Sequence, residues 1–117
     1  MELVVFDLDG TLLNRDSEIS DFTSETLRLL TENDIAYTVA TGRTLHGARR
    51  VLDGHSFHLP QAYKNGVLIW DPATESFSSG AMLTPAELDN VVSACLGQTL
   101  TPFVFTLDED HESTIYH

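Results

Sequence analysis

The run Val4-Val5-Phe6-Asp7-Leu8-Asp9-Gly10-Thr11-Leu12-Leu13 constrains the fold more than any other stretch of this chain. Apolar residues on both parities of Leu3 to Phe6 predict a strand buried on both faces, as in a parallel sheet. Open α/β sheets bind ligands beyond the carboxyl ends of their strands. Two carboxylates two positions apart thus leave a rigid strand where ligands are usually met. Gly10 follows at once and can take backbone angles closed to other residues, which suits a sharp turn. In a regular strand Asp7 and Asp9 would point the same way; a turn beginning at Gly10 lets Asp9 swing elsewhere.

The segments that follow predict an α/β fold. A polar loop at Asn14-Arg15-Asp16-Ser17 leads to a helix over about Ser20–Asn33, capped by Ser20 or Asp21. Ile19, Phe22, Leu27 and Leu30 fall on one broad face of it, with Leu29 at the edge. Ile35 to Ala40 reads as a second buried strand. Strand, helix and strand make a βαβ unit, whose crossover is right-handed and leaves the strands parallel. Thr41-Gly42-Arg43 therefore lies on the same sheet edge as Asp7 and Asp9. A short helix over Leu45–Leu52 and a third short strand over Pro60–Tyr63 follow, bringing Lys64-Asn65-Gly66 to that edge. Val67–Trp70 and Glu75–Ser79 flank Asp71-Pro72-Ala73-Thr74 and read as a hairpin.

Character changes near Gly80, and a domain boundary is expected near residues 80–84, dividing the chain into 1–80 and 81–117. Thr84-Pro85-Ala86-Glu87 is a strong helix start, with a Thr cap, Pro in the first position and Glu three after the cap. Leu88, Val91, Val92, Cys95 and Leu96 make one apolar stripe, and Gly97 ends the helix. Phe103–Leu107 is a strand, Asp108–Glu112 a loop, and Ser113–Tyr116 the start of a return strand.

Charge narrows the partners. The formal net charge is -12 over 117 residues, which argues against nucleic acid and anionic membrane surfaces. An acidic protein that binds phosphate esters needs a divalent cation or aimed backbone amides. The single cysteine, Cys95, permits no internal disulfide and fits a reducing, cytoplasmic setting. No apolar run is long enough to span a bilayer.

Asp7 and Asp9 can hold a hard cation through oxygen ligands, or divide labour as nucleophile and acid/base. Capping a turn is the bland alternative. The buried strand before them, the Gly-Thr after them and Thr41-Gly42-Arg43 on the same edge favour chemistry. Arg43 has two readings: contact with a substrate, or an ion pair with an acid such as Asp16. Asn65-Gly66 alone is an ordinary turn signal. His46, His55, His58, His111 and His117 show no metal-ligand spacing shared with the carboxylates. Cys95 and Trp70 are read as packing, and Phe103-Val104-Phe105 as part of a strand.

Asp7-Leu8-Asp9-Gly10-Thr11-Leu12 resembles the first signature of the haloacid dehalogenase-like superfamily of phosphohydrolases. With Thr41-Gly42-Arg43 after the second strand and Asn65-Gly66 after the third, the chain is similar to the Cof-type subfamily. That resemblance implies a Rossmann-like core, incomplete here, with a parallel sheet, flanking helices and the start of an α+β cap. It implies a Mg²⁺-dependent phosphatase acting on a small phosphorylated metabolite such as a sugar phosphate. Asp7 would attack the phosphoryl group. Asp9 would protonate the leaving alkoxide and then activate water. Mg²⁺ would sit between the Asp7 side chain and the Asp9 backbone carbonyl. Thr41 would bind the phosphoryl group with backbone N–H groups near Leu8 and Gly42; Arg43 and Asn65 are second-rank candidates for the substrate-binding set. Leu8 stands where the related cation pumps carry Lys, so the chain does not look pump-like.

The resemblance also implies later strands that carry a lysine and a final acidic motif. Lys64 is a poor substitute for that lysine, and Asp108-Glu109-Asp110 lies in a polar loop. Without neighbours on its far side, Leu3–Phe6 would be an exposed sheet edge. The first expectation is therefore the front portion of a longer phosphatase. The second is another chain, through self-association, covering that edge. The third is a shortened, non-catalytic relative that binds Mg²⁺ or phosphate.

Overall fold

A computed structural model describes residues 2–79, 82–107 and 113–116. The chain divides into two compact units, Met1–Ser79 and Gly80–His117. Gly80, the Asp108–Glu112 loop with its acidic cluster, His111 and His117 lie outside the described residues.

The first unit is α/β. Strands β1 (Leu3–Phe6) and β2 (Ala36–Val39) run parallel, with Leu3 opposite Ala36 and Phe6 opposite Val39. Helix α1 (Asp21–Glu32) connects them. Of the two candidate caps Ser20 is the one used: its Oγ accepts from the Thr23 N–H at 3.2 Å. The face expected of α1 is split. Leu27 is buried, Ile19 and Leu30 are half-buried, yet Phe22 is 84% exposed and Leu29 46%. With 3.6 residues per turn, Phe22 and Leu29 sit about 20° apart and Phe22 about 140° from Leu27. The helix thus carries two adjacent apolar stripes, and the sheet covers only the one centred near Leu27.

A similar correction applies to β1. Leu3 and Val5 are each 52% exposed, whereas Val4 and Phe6 are half-buried. Burial on both faces needs a layer on each, and the described residues supply one. No described strand pairs with the outer edge of β1. On the other side β2 fits its reading as a buried strand, with Tyr37, Thr38 and Val39 all enclosed. The polar one, Thr38, donates its hydroxyl to the Pro60 carbonyl at 2.7 Å, so its burial leaves nothing unsatisfied.

Strand β3 (Gln61–Tyr63) follows helix α2 (Leu45–Leu52) and joins beyond β2. Ala40 and Ala62 form a parallel bridge, and the Thr41 N–H donates to the Ala62 carbonyl at 2.9 Å. Strands β4 (Leu68–Asp71) and β5 (Ser76–Ser79) then extend from β3 as an antiparallel meander. The Asp71 carboxylate accepts from the Ala73 N–H at 2.9 Å and shapes the turn. Across the hairpin Trp70 faces Phe77, their ring centroids 5.0 Å apart and edge-on. Trp70 is buried and packs as expected, with the Arg49 guanidinium 5.6 Å above its ring.

Tyr63 is wholly enclosed, and its hydroxyl donates to Gln61 Oε1 at 2.6 Å. Gln61 Nε2 in turn donates to the Phe57 carbonyl at 3.2 Å. Burial pushes the Tyr63 phenol up to about 12. The unfolded chain, with tyrosine near 10, therefore loses this proton first as pH rises. Stability from this group is intact below about pH 10 and falls by roughly 2 kcal/mol between about pH 10 and 12. Urea midpoints measured through that window for wild type and Tyr63→Phe should differ in slope, the variant lacking this component.

In the second unit, helix α3 (Pro85–Gly97) opens as expected. Thr84 Oγ1 accepts from the Glu87 N–H at 3.3 Å, while the Thr84 N–H donates to Glu87 Oε2 at 2.8 Å. This reciprocal cap satisfies two otherwise orphaned donors. The Thr84 N–H, and after it the Thr84 hydroxyl donating to Glu87 Oε2 at 2.9 Å, lower the Glu87 pKa. Gly97 is the last helical residue, but the left-handed turn is taken by Thr99, at φ 58°. Leu88, Val92 and Cys95 are half-buried, and Val91 and Leu96 exposed. Strands β6 (Val104–Leu107) and β7 (Ser113–Tyr116) pair antiparallel, Val104 opposite Tyr116. No helix among the described residues is long and apolar enough to cross a membrane.

Candidate active site

The register of the parallel strands fixes where the candidate residues emerge. Phe6 pairs with Val39, and the Ala40 N–H donates to the Phe6 carbonyl at 2.8 Å. Asp7 thus leaves β1 opposite Ala40, one residue before Thr41 leaves β2. The Ala40–Ala62 bridge carries the same level across to β3 and hence to Lys64-Asn65-Gly66. One sheet edge accordingly gathers Asp7, Leu8, Asp9, Thr41, Gly42, Arg43 and Asn65.

Beyond Asp7 the chain makes a single wide turn over Leu8–Leu12. The Leu12 N–H donates to the Asp7 carbonyl at 3.2 Å and the Leu13 N–H to the Leu8 carbonyl at 2.9 Å. Gly10 bends it at φ 76°, in the left-handed region that favours glycine. Leu8, Leu12 and Leu13 are buried and root the turn in the core, while Asp7, Asp9, Gly10 and Thr11 stay exposed. The Asp7 carboxylate accepts from the Leu8 N–H at 2.9 Å through Oδ1. It therefore does cap the turn, and it also faces solvent.

Asp9 is held by Arg43. Arg43 Nε donates to Asp9 Oδ2 at 2.8 Å, and Nη2 to Oδ1 at 2.6 Å. The Arg43 ion pair goes to Asp9 rather than to Asp16. The Asp16 loop is closed instead by Asn14, whose Oδ1 accepts from the N–H groups of Asp16 at 2.9 Å and Glu18 at 3.0 Å. The guanidinium bonds lower the Asp9 pKa against a small opposing effect of burial, and the Arg43 pKa rises in turn. Asp9 is thus kept ionised.

The second-strand loop is fastened to the third-strand turn. Thr41 is buried, its carbonyl accepting from the Asn65 N–H at 3.0 Å. Its Oγ1 accepts from the Arg43 N–H at 3.1 Å, which leaves the hydroxyl proton to donate elsewhere. The Lys64 N–H donates to the Arg43 carbonyl at 3.1 Å. Lys64, Asn65 and Gly66 are all left-handed, at φ 50°, 57° and 89°. Gly42 lies against the Asn65 side chain: a Cβ at residue 42 would stand 3.1 Å from Asn65 Oδ1.

Among the described residues no three His, Cys, Asp or Glu gather as a metal cage. A hard cation here would take the exposed Asp7 carboxylate and the Asp9 backbone carbonyl. These are oxygen donors that suit Mg²⁺, and the Asp9 carboxylate would remain with Arg43. A cavity of about 140 Å³ lies between α2, β3 and β4, with Arg49, Tyr63 and Trp70 in its wall. None of the candidate residues lines it.

One participant was not foreseen. The Gly47 carbonyl, inside α2, accepts from Arg43 Nη1 at 3.1 Å. The signal was a glycine within a short helix, which costs about 1 kcal/mol against alanine. Its space is also taken, since a Cβ there would meet Thr44 Oγ1, the α2 cap, at 3.3 Å.

A family profile described as haloacid dehalogenase-like hydrolase matches residues 4–115. The chain belongs to the haloacid dehalogenase-like hydrolases. Within that family it is similar to the HMP-PP phosphatase of Enterobacter sp. (strain 638), at 40% identity over 67 residues, covering 57% of this chain and 25% of the relative. It is also 32% identical over 71 residues to the 5-amino-6-(5-phospho-D-ribitylamino)uracil phosphatase YcsE of Bacillus subtilis, covering 61% and 28%. Among solved structures, a haloacid dehalogenase-like hydrolase from Bacteroides thetaiotaomicron superposes with a TM-score of 0.69 and 26% identity, over 92% of this chain and 41% of that one. The matches span about a quarter of the length of these curated relatives.

Proposed function

We propose that this chain carries the phosphoryl-transfer edge of a Mg²⁺-dependent phosphatase acting on a small phosphorylated metabolite, such as a sugar phosphate. The observation that carries this reading is the convergence of Asp7, the Asp9–Arg43 pair and Thr41 on one end of two parallel strands. The family, and relatives that are phosphatases of small phosphorylated compounds, point the same way.

In this reading the Asp7 carboxylate attacks phosphorus, the bond from phosphorus to the ester oxygen breaks, and phosphate passes to Asp7. Protonated Asp9 gives its proton to the leaving alkoxide. As a carboxylate, Asp9 then takes a proton from the water that releases phosphate from Asp7. The resting ion pair suits the second role. For the first, protonated Asp9 gives up one of its two bonds to Arg43 and keeps the other, so that its position is held. Thr41 donates its hydroxyl to the phosphoryl group. Backbone N–H groups near Leu8 and Gly42 would bind the same group, the Leu8 N–H itself being given to Asp7 Oδ1 at rest, and Asn65 would complete the substrate side. Asp7 and the Asp9 carbonyl would hold Mg²⁺, which when bound would supply the charge neutralisation that an anionic nucleophile approaching a phosphate requires. The need is acute in a chain of net charge -12. Residues 1–80 would be part of the core and 81–117 the beginning of an inserted cap, in a cytoplasmic protein.

The 117-residue chain should turn over p-nitrophenyl phosphate or members of a sugar-phosphate panel with Mg²⁺ present. EDTA should abolish the rate and added Mg²⁺ restore it. A second reading, a non-catalytic module that associates through β1, is favoured by the half-exposed Leu3 and Val5. Absence of Mg²⁺-dependent turnover across the panel, with a concentration-dependent mass in solution, would select it.

A further inference from the structure

We infer that Arg43 is a positioning residue that holds the Asp9 carboxylate and does not touch the substrate. The inference rests on the phosphatase reading for its consequence, but on geometry for its content. All three guanidinium nitrogens have partners: Nε and Nη2 take the two Asp9 oxygens at 2.8 and 2.6 Å, and Nη1 takes the Gly47 carbonyl at 3.1 Å. The side-on fork of Nε and Nη2 is thus spent on a carboxylate, and only one N–H on each of Nη1 and Nη2 is left over.

Both ends of Arg43 are fixed. Its N–H donates to Thr41 Oγ1 and its carbonyl accepts from the Lys64 N–H, each at 3.1 Å. Its head is tied to the backbone of α2 at Gly47. The arginine side chain is the more enclosed partner, 25% exposed against 56% for Asp9. Asp9 by contrast sits on an exposed turn bent at Gly10. Arg43 therefore acts as a rigid bracket from β2 and α2 to a carboxylate that its own turn would leave mobile. A reacting group displaced by about 1 Å can lose about a hundredfold in rate, so a bracket of this kind acts on kcat.

The test is steady-state kinetics of the full chain on p-nitrophenyl phosphate with Mg²⁺, for wild type, Arg43→Gln and Arg43→Lys. Arg43→Gln should lower kcat about tenfold to a hundredfold with KM within about threefold. Arg43→Lys, keeping the charge but not the fork, should recover only part of the loss. A KM raised tenfold at unchanged kcat would mark a substrate ligand and overturn the inference. An inactive wild type counts against the phosphatase reading instead, and the bracket is then read by ¹⁵N NMR of the Arg43 Nε–H. That resonance should be protected from exchange, lose its protection in Asp9→Asn, and stay unmoved by millimolar inorganic phosphate. A signal indifferent to Asp9→Asn, or one that follows phosphate, overturns the bracket.

Discussion

Asp7→Asn is expected to lower phosphate-ester turnover by at least about a thousandfold while leaving the chain as stable as before. The amide keeps an oxygen that can accept from the Leu8 N–H, the bond at 2.9 Å that caps the turn. It keeps the shape as well, and the site is exposed, so the fold has little reason to respond. It removes the anionic oxygen that would attack phosphorus. Losing a nucleophile typically costs several orders of magnitude, because the remaining groups only bind and polarise. Initial rates at saturating Mg²⁺, set beside urea midpoints of both proteins, check the two halves of the expectation. A variant that keeps its rate would mean that another group attacks. A variant that loses rate and stability together would mean that Asp7 serves chiefly as the cap.

The second large effect is on stability. Leu8 lies between the two carboxylates and is fully buried, rooting the turn along with Leu12 and Leu13. Truncation to alanine removes the packing and leaves a cavity that this turn, pinned by its own backbone bonds, cannot easily collapse. Leu8→Ala should therefore cost about 2–5 kcal/mol. Phe22→Ala, at a larger but 84% exposed side chain, should stay within about 0.5 kcal/mol. Chemical denaturation of the pair makes the comparison internal. A Leu8→Ala cost below about 1 kcal/mol would show that the turn is held by its backbone bonds alone. If the leucine is the root, turnover should fall further than stability alone explains, because Asp7 and Asp9 flank the loosened residue.

What was legible in the sequence was the chemistry of near neighbours. The Thr84–Glu87 cap, the Ser20 cap, the βαβ order and the hairpin about Asp71–Thr74 depend on residues a few positions apart, and local rules reach that far. The common edge of Asp7 and Thr41 was legible too, because strands joined through a helical crossover run parallel and end on one side of the sheet. Which stripe of α1 meets the sheet was not. Phe22 and Leu27 are equally apolar, and only the sheet chooses between them. The exposure of Leu3 and Val5 is likewise a matter of what covers them, which composition does not record. The partner of Arg43 lay beyond local reach, since Asp9 sits far back in the chain and Asp16 was the acid expected. Lys64 was misleading in a different way. Its side chain gives no hint of the left-handed φ of 50° that the stitching to Arg43 imposes.

The contact between Gly42 and Asn65 bears on how this edge can change over generations. The two residues, distant in the chain, share one volume, so a side chain can enter at 42 only if the one at 65 retreats. Asn65 stands at φ 57°, where glycine is the smaller residue that the backbone admits without strain. Mutational drift here has a preferred order: glycine at 65 first, a methyl group at 42 after it. The reverse order crowds Asn65 Oδ1 at 3.1 Å, beside the loop that holds Thr41, and asks that side chain to give by a few tenths of an ångström. Two positions that look independent on paper are therefore expected to be coupled.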